Sequence, residues 1–407
     1  MTIPEQEILN SLVARVFRTT DVTLGRDGTE FLYRYRGTLN TEDSAAAYDQ
    51  LAESLRPYEL RPLFRKGEDG GHLILLVPAV PRPKPFNIRT NIFMFTLTVI
   101  SVFLSGALYV YLGLHPETNI TSIPQTYVIA IQNIWIGWPF VVSLLAILLA
   151  HEFGHYLAGR YHKVALTLPY FIPLPFPAGI GTMGAVIQMK EIPKNKRILL
   201  DIGLAGPLAG LVVAIPVLLI GLHMSVLQQN IPNSTGFEGN SILYLFLKYI
   251  TFGQLLPAPA SYGNIPPTLY WLQYFFTGTP APMGGTDVIL SPVAWAGWIG
   301  LLVTSLNLIP AGQLDGGHLM YVLFGGKRLR SWLPIIQLVL AVLGFFSVSW
   351  WLWLAILSFF GRFTDEPLDQ ITELDPRRRA LAIFGVIVFI LVFMPVPFPA
   401  TIFDLFK

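Results

Sequence analysis

The chain is 407 residues long, 53% hydrophobic and only 13% charged, and its 27 basic and 25 acidic residues leave a net charge of +2. An average soluble domain carries roughly 25% charged residues, so this is the balance of a membrane protein; so small a net charge gives no electrostatic reason to expect nucleic acid as a partner. The absence of cysteine excludes a disulfide framework, thiolate metal sites and cysteine nucleophiles together.

The opening stretch "MTIPEQEILNSL" has no basic region followed by an apolar run, and a cleaved targeting segment is not expected. Residues 1–80 read as a small soluble α+β domain. Helical spacing covers 3–17, and "EFLYRYRG" at 30–37 alternates as a strand does, with Phe31, Tyr33 and Tyr35 on one face. A helix at 42–56 presents Ala45, Tyr48, Leu51 and Leu55 on one side, and strands come next at 59–65 and 72–78. Nothing in this domain has the residues for catalysis; its expected role is to pack or dock, on a partner the sequence does not name. The stretch "VPAVPRPKPFNIR" reads as a stiff, basic, proline-rich linker, with the linker itself placed at 81–90.

A membrane-crossing helix needs about 20 apolar residues. Candidates run over 91–114, then 137–160 with an interfacial helix before it at 126–136, then 198–222 and 292–310. Arg82, Lys84 and Arg89 place the amino terminus in the cytoplasm, and counting crossings puts Lys194, Lys196, Arg197, Lys327, Arg328 and Arg330 there too. Arg377, Arg378 and Arg379 return to that side only if 332–360 is two short segments broken near "FFSVSW", with a last span at 380–396. The expected fold is a polytopic α-helical membrane protein of about seven hydrophobic segments, two of them short. Its expected location is the bacterial cytoplasmic membrane, with the lipid bilayer as its surroundings.

The second span ends in "LLAHEFGHYLAG", residues 148–159. His151 and His155 are four apart and share one helical face, about 5–6 Å apart at Cβ, which lets two imidazoles ligate one zinc ion. Glu152, one position round the helix, can reach the water such an ion activates and serve as general base without being a ligand. Ionisable side chains in a membrane helix are costly, so a purely structural histidine pair is a poor explanation. A catalytic zinc needs a third protein ligand. His162 sits one residue out of register for a downstream histidine ligand, and it is expected at the interface beside Lys163. Glu191 and Asp201, near a basic loop, are expected to be solvated. The better candidate lies in "NLIPAGQLDGGH", residues 307–318, which the topology brings to the same side as the end of the second span. Pro310, Gly312, Gly316 and Gly317 break the helix there, and broken backbone at membrane depth lies within protein or lines a wet cavity. Asp315 can then meet the two histidines. A helix-end cap is its alternative role, and His318 is a weaker rival ligand that reads as a turn residue.

With "HEFGH" in one hydrophobic segment and "NLIPAGQLDGG" in a later one, the chain resembles the site-2 protease family of intramembrane zinc metalloproteases over roughly residues 91–324. The amino-terminal domain and the glycine of "AGQLDGG" look most like the plastid and cyanobacterial-type branch. The resemblance implies one zinc ion per chain held by His151, His155 and Asp315, with Glu152 as general base and Asn307 beside the substrate backbone. It also implies that "GTMGAVI", residues 181–187, is the family's membrane-associated β-loop, with Gly181, Thr182, Met183 and Gly184 against the substrate. "LAGPLAG", residues 204–210, looks like the family's small-residue segment, which close helix packing accounts for. Many relatives carry a second proline where this chain has Ala311, Gly312 and Gln313. The loop 223–291 is too short and too rich in proline and asparagine to read as a PDZ domain, and no appended CBS domain is expected after the last span. The expected organisation is 1–80 as the cytoplasmic domain, 81–90 as linker, 91–324 as protease core and 325–407 as carboxyl-terminal segments. The expected activity is hydrolysis of peptide bonds in or near the transmembrane segments of membrane-protein substrates. The alternatives are a transporter or channel that relays ions through the same side chains, and a pseudoprotease that binds without cutting.

Overall fold

Short alternating stretches of β-branched and aromatic residues dominate the first 80 positions, and long apolar runs dominate the rest of the chain; the fold divides accordingly. The computed structural model describes residues 5–26, 30–67, 69–79, 87–177, 179–230, 238–361 and 366–399. Most of the linker expected at 81–90 lies outside them.

The amino-terminal domain runs α1 (Gln6–Ala14), β1 (Phe17–Leu24), β2 (Tyr33–Leu39), α2 (Ser44–Leu55), β3 (Leu60–Lys66) and β4 (His72–Pro78). The strands form one antiparallel sheet in the order β1-β2-β4-β3. Asp43 starts α2 by accepting a hydrogen bond from the Ala46 N–H at 3.1 Å. Leu51 and Leu55 on α2 are buried among Phe64, Ile74 and Leu76 of the sheet. The expected helix at 3–17 stops at Ala14, and β1 comes directly after it. That strand escapes sequence reading because it is an edge whose residues from Arg18 to Asp21 are all exposed, so it lacks an apolar alternation. Leu51→Ala, which empties space at a fully buried position, is expected to lower the stability of this domain by about 2–5 kcal/mol, read as earlier loss of amide protection in β3 and β4 on denaturant titration.

The remainder is mostly helical: α3 (Ile88–Leu114), α4 (Ile123–Gln132), α5 (Trp138–Tyr161), β5 (Tyr170–Pro173), β6 (Thr182–Val186), α6 (Lys196–His223), β7 (Val226–Gln229), α7 (Ile242–Phe252), α8 (Pro267–Thr277), β8 (Thr286–Ile289), α9 (Pro292–Asn307), α10 (Asp315–Phe324), α11 (Gly326–Gly344), α12 (Ser349–Phe360) and α13 (Pro376–Val392). Among the described residues three helices are long and apolar enough to cross a membrane: α3, α6, and α5 together with the 3-10 turn that precedes it. Helices α5, α6 and α9 pack on one another and form the centre of the molecule. The fourth expected span ends at Asn307 rather than 310, because Pro310 has no N–H with which to continue the ladder. The region 332–360 is two helices, α11 and α12, packed together and separated by 345–348. The last helix ends at Val392, ahead of Pro395, Pro397 and Pro399. The chain beyond it folds back on the core, where the Pro395 carbonyl accepts from the Trp350 indole at 2.7 Å and Met394 is fully buried.

Strands β5 and β6 pair antiparallel beside α3, and β7 pairs with β8 across the region expected to carry no PDZ domain. The amino-terminal domain does not stand apart. Leu368 and Ile371, from the segment between α12 and α13, belong to its apolar core. Lys66 on β3 donates to Glu373 at 2.8 Å and holds that carboxyl below its ordinary pKa.

Candidate metal centre

The apolar stripe of α5 is continued by its polar residues: Leu144, Ile147, Leu148, His151 and Glu152 are all buried against α6 and α9. This burial follows from helical periodicity, since residues three and four apart lie on one face. His155 is one turn further on. Its Nδ1 lies 2.7 Å from the Ile202 carbonyl oxygen on α6, which fixes the ring and, in the neutral form, leaves the proton on Nδ1 and a lone pair on Nε2. That lone pair faces the centre.

Asp315 arrives from the opposite side as the first residue of α10. Residues 308–314 turn back over that helix, with Gly312 at φ +60°, a conformation glycine adopts without steric penalty. The turn is close enough that a Cβ on Gly316 would stand 2.0 Å from the Leu308 carbonyl oxygen. Asp315 Oδ2 thereby lies 3.5 Å from His151 Nε2 and 3.4 Å from His155 Nε2, and the two nitrogens are 3.3 Å apart. The Asn307 amide nitrogen, at the end of α9, is 3.2 Å from His151 Nε2.

These distances test the fit of a metal. A tetrahedral zinc ion with bonds of about 2.0–2.1 Å holds its ligand atoms about 3.3–3.4 Å apart, which is the spacing of this triangle. Two imidazoles and a carboxylate are also a donor set zinc accepts in catalytic sites. Among the described residues this is the cluster of histidines and acids that can converge on one ion.

Two glycines of α6 make the arrangement possible. A Cβ on Gly206 would lie 2.0 Å from His155 Nε2, and one on Gly210 would lie 3.2 Å from both Cβ and Nδ1 of His151. The small residues of "LAGPLAG" therefore do more than let helices approach: they leave the volume the two rings occupy.

The triangle opens on a cavity of about 670 Å³, lined by His151, Glu152, His155, Asn307, Asp315 and His318, by residues 185–193, and by Ile356, Leu357 and Phe360 of α12. His318 is buried in α10 rather than placed in a turn, and it stands outside the triangle. The β-loop is beside the site, but its wall is the run from Ala185 onward. Gly181 packs against the backbone of α3 at Ser101 and Val102, Thr182 is buried with its hydroxyl on the Ile172 carbonyl, Met183 is exposed, and Gly184 turns the chain at φ +95°. None of these four lines the cavity.

Glu191 is exposed, as expected, and also lines the cavity, with a carboxylate oxygen 3.3 Å from the Ala165 amide. Asp201, also expected to be solvated, instead accepts from the Arg378 Nε and Nη2 at 3.0 and 2.7 Å and lies 2.9 Å from His162 Nε2. One carboxylate thus ties the ends of α5, α6 and α13 together and gives His162 a partner away from the metal triangle.

The model of peptidase family M50 matches residues 139–349, slightly more than half of the chain and the part that builds this site. The chain belongs to peptidase family M50. Among curated proteins it is 31% identical over 349 residues to "Probable zinc metalloprotease EGY1, chloroplastic" of Oryza sativa subsp. japonica, covering 81% of this chain and 55% of that one. The namesake in Arabidopsis thaliana is 31% identical over 262 residues, covering 63% of this chain and 43% of the relative. "Probable zinc metalloprotease EGY2, chloroplastic" of Arabidopsis thaliana is 28% identical over 288 residues, covering 70% and 47%. The chain thus spans about half the length of the curated relatives it matches. These relatives agree with the plastid-type branch suggested by the motifs. No solved structure matches the chain.

Proposed function

We propose that the chain is an intramembrane zinc metalloprotease that hydrolyses peptide bonds within or near the transmembrane segments of membrane-protein substrates. The observation that carries this reading is the convergence of three metal-binding atoms at tetrahedral spacing with a buried glutamate in one cavity of a membrane protein. Membership of family M50 and the zinc metalloprotease names of the relatives support it. His151, His155 and Asp315 would hold one zinc ion, and zinc supplies Lewis acidity towards a water and a carbonyl. Glu152 takes the proton of the attacking water on its carboxylate and returns it to the leaving amine. Asn307 orients the substrate backbone through its side-chain amide, which faces the same centre. The substrate lies as an added strand along the β-loop, and because the cavity is lined by residues 185–193, the contact is placed there rather than on Gly181 to Gly184.

Helices α3, α5, α6, α9, α11, α12 and α13 supply the seven hydrophobic segments, with the amino terminus on the side of the basic loops. The domain divisions fall at 80, 90 and 324, except that residues 366–373 go with the amino-terminal sheet they pack on. The relatives are named as chloroplastic, so the bacterial cytoplasmic membrane finds no support among them. No observation favours ion relay or a non-cleaving binder.

Metal dependence tests the reading. A chelator that strips zinc from the reconstituted protein is expected to abolish cleavage of a membrane-embedded peptide, and stoichiometric zinc is expected to restore it. Cleavage that persists in the metal-stripped protein would contradict the assignment.

A further inference from the structure

The wall of the cavity formed by residues 185–193 runs directly into a junction of three chain segments. The Pro193 carbonyl, which lines the cavity, accepts from the Leu368 N–H at 3.1 Å, and the Lys194 carbonyl accepts from the Asp369 N–H at 2.7 Å. On its other side the same segment joins the amino-terminal sheet: Phe64 N–H donates to the Leu368 carbonyl at 2.9 Å, and Gln370 N–H donates to the Phe64 carbonyl at 3.0 Å. Asp369 thus bridges β3 and residue 195 at once, pairing parallel to Phe64 and to Asn195.

Side chains reinforce both faces. Arg65 donates to the Pro367 and Leu368 carbonyls at 3.2 and 2.8 Å, and the buried Ser44 and Thr372 hydroxyls are 2.7 Å apart. Lys194 reaches Asp49 of α2 at 2.7 Å, and Arg197 donates to the Glu373 carbonyl at 2.8 Å. At the centre Asp369 is 1% exposed, and its carboxylate accepts from the Ile371 and Thr372 N–H groups and the Thr372 hydroxyl, which fixes the turn of the segment. The segment comes after α12, whose Phe360 also lines the cavity.

We infer that the amino-terminal domain holds one wall of the catalytic cavity in register through residues 366–373, with Asp369 as the positioning residue at the junction. The inference rests on the metalloprotease reading for its catalytic consequence. The physical reason is that a two-stranded wall, β5 with β6 and its continuation, has few ladder hydrogen bonds of its own and is marginal without an outside support. A substrate laid along that wall as a strand meets it in a defined register only if residues 185–193 are held still, so the junction acts on substrate binding rather than on the chemical step.

The test uses the zinc-loaded full chain and hydrogen exchange, read at the wall amides of Gln188 and Lys190, which donate to the Thr167 hydroxyl and the Ala165 carbonyl. Asp369→Ala is expected to speed exchange over 185–193 by about tenfold while peptides covering 140–155 exchange as in the native protein and zinc content is unchanged. With a fluorescently labelled single-span membrane peptide in lipid vesicles as probe, KM is expected to rise about fivefold with kcat within about twofold, the sign of lost uniform binding. Asp369→Asn, whose amide oxygen still accepts from Ile371 and Thr372, is expected to restore both. Arg65→Met, which touches the segment only from the amino-terminal side, is expected to loosen 185–193 as well, and it decides the matter should Asp369→Ala fail to fold. Unchanged exchange at 185–193 in the folded variants, or an increase spread equally over 140–155, would overturn the inference. Exchange is read without cleavage, so a native protein that leaves the membrane peptide intact would count against the protease reading while the exchange result still decides whether the domain holds the wall.

Discussion

Glu152→Gln is expected to reduce cleavage by about 10²–10⁴-fold while leaving one zinc ion bound, because the substitution removes a proton acceptor and no ligand. Glutamine has the size and shape of the buried glutamate, so the helix and the packing of its neighbours are expected to survive. The measurement pairs a rate with a metal analysis on the same preparation. Loss of zinc together with activity would make Glu152 a ligand, contrary to the geometry, in which the converging atoms are those of His151, His155 and Asp315. Undiminished cleavage would remove Glu152 from the chemistry altogether.

Gly206→Ala is expected to weaken zinc binding by at least about 10–100-fold, the range seen when groups that orient a ligand are altered. The added Cβ would lie 2.0 Å from His155 Nε2, the atom that faces the centre of the triangle, so the ring must swing out of it. The hydrogen bond from Nδ1 to the Ile202 carbonyl would be strained with it. Gly210→Ala is the internal comparison: its Cβ would lie 3.2 Å from the Cβ and Nδ1 of His151, a contact a small shift can relieve. Competition with a zinc-binding dye measures both. Equal affinity in the native protein and Gly206→Ala would mean that His155 does not ligate through Nε2.

The parts of this fold written in short-range pattern are readable directly. Four-residue spacing puts His151 and His155 on one helical face whatever the rest of the chain does, and apolar run length marks α3, α5 and α6. Asp315 needs more, namely a topology that brings two span ends to one side, and the charge distribution supplies it. Other features carry no local signal. Gly206 in "LAGPLAG" looks like any small residue at a helix crossing, and only the distance to an imidazole on another helix reveals its role. Asp201 sits among basic residues and reads as solvated, because its partners Arg378 and His162 are 177 and 39 positions away in the chain. The segment 366–373 has the appearance of a polar loop, and its partner Arg65 on β3 is 303 residues before Leu368. The β-loop is legible as an element, yet which of its residues face the cavity depends on how β6 is turned against α3, and that is a matter of tertiary packing.

The most direct measurement of the central claim is cleavage of a single-span membrane peptide by the zinc-loaded protein in lipid vesicles, carried out in water enriched in oxygen-18 and read by mass spectrometry. Hydrolysis at the proposed site predicts a cut inside or at the edge of the apolar segment, one oxygen-18 atom in the new carboxyl terminus, and neither product with Glu152→Gln. An intact peptide, or a labelled cut that Glu152→Gln makes equally well, would contradict it.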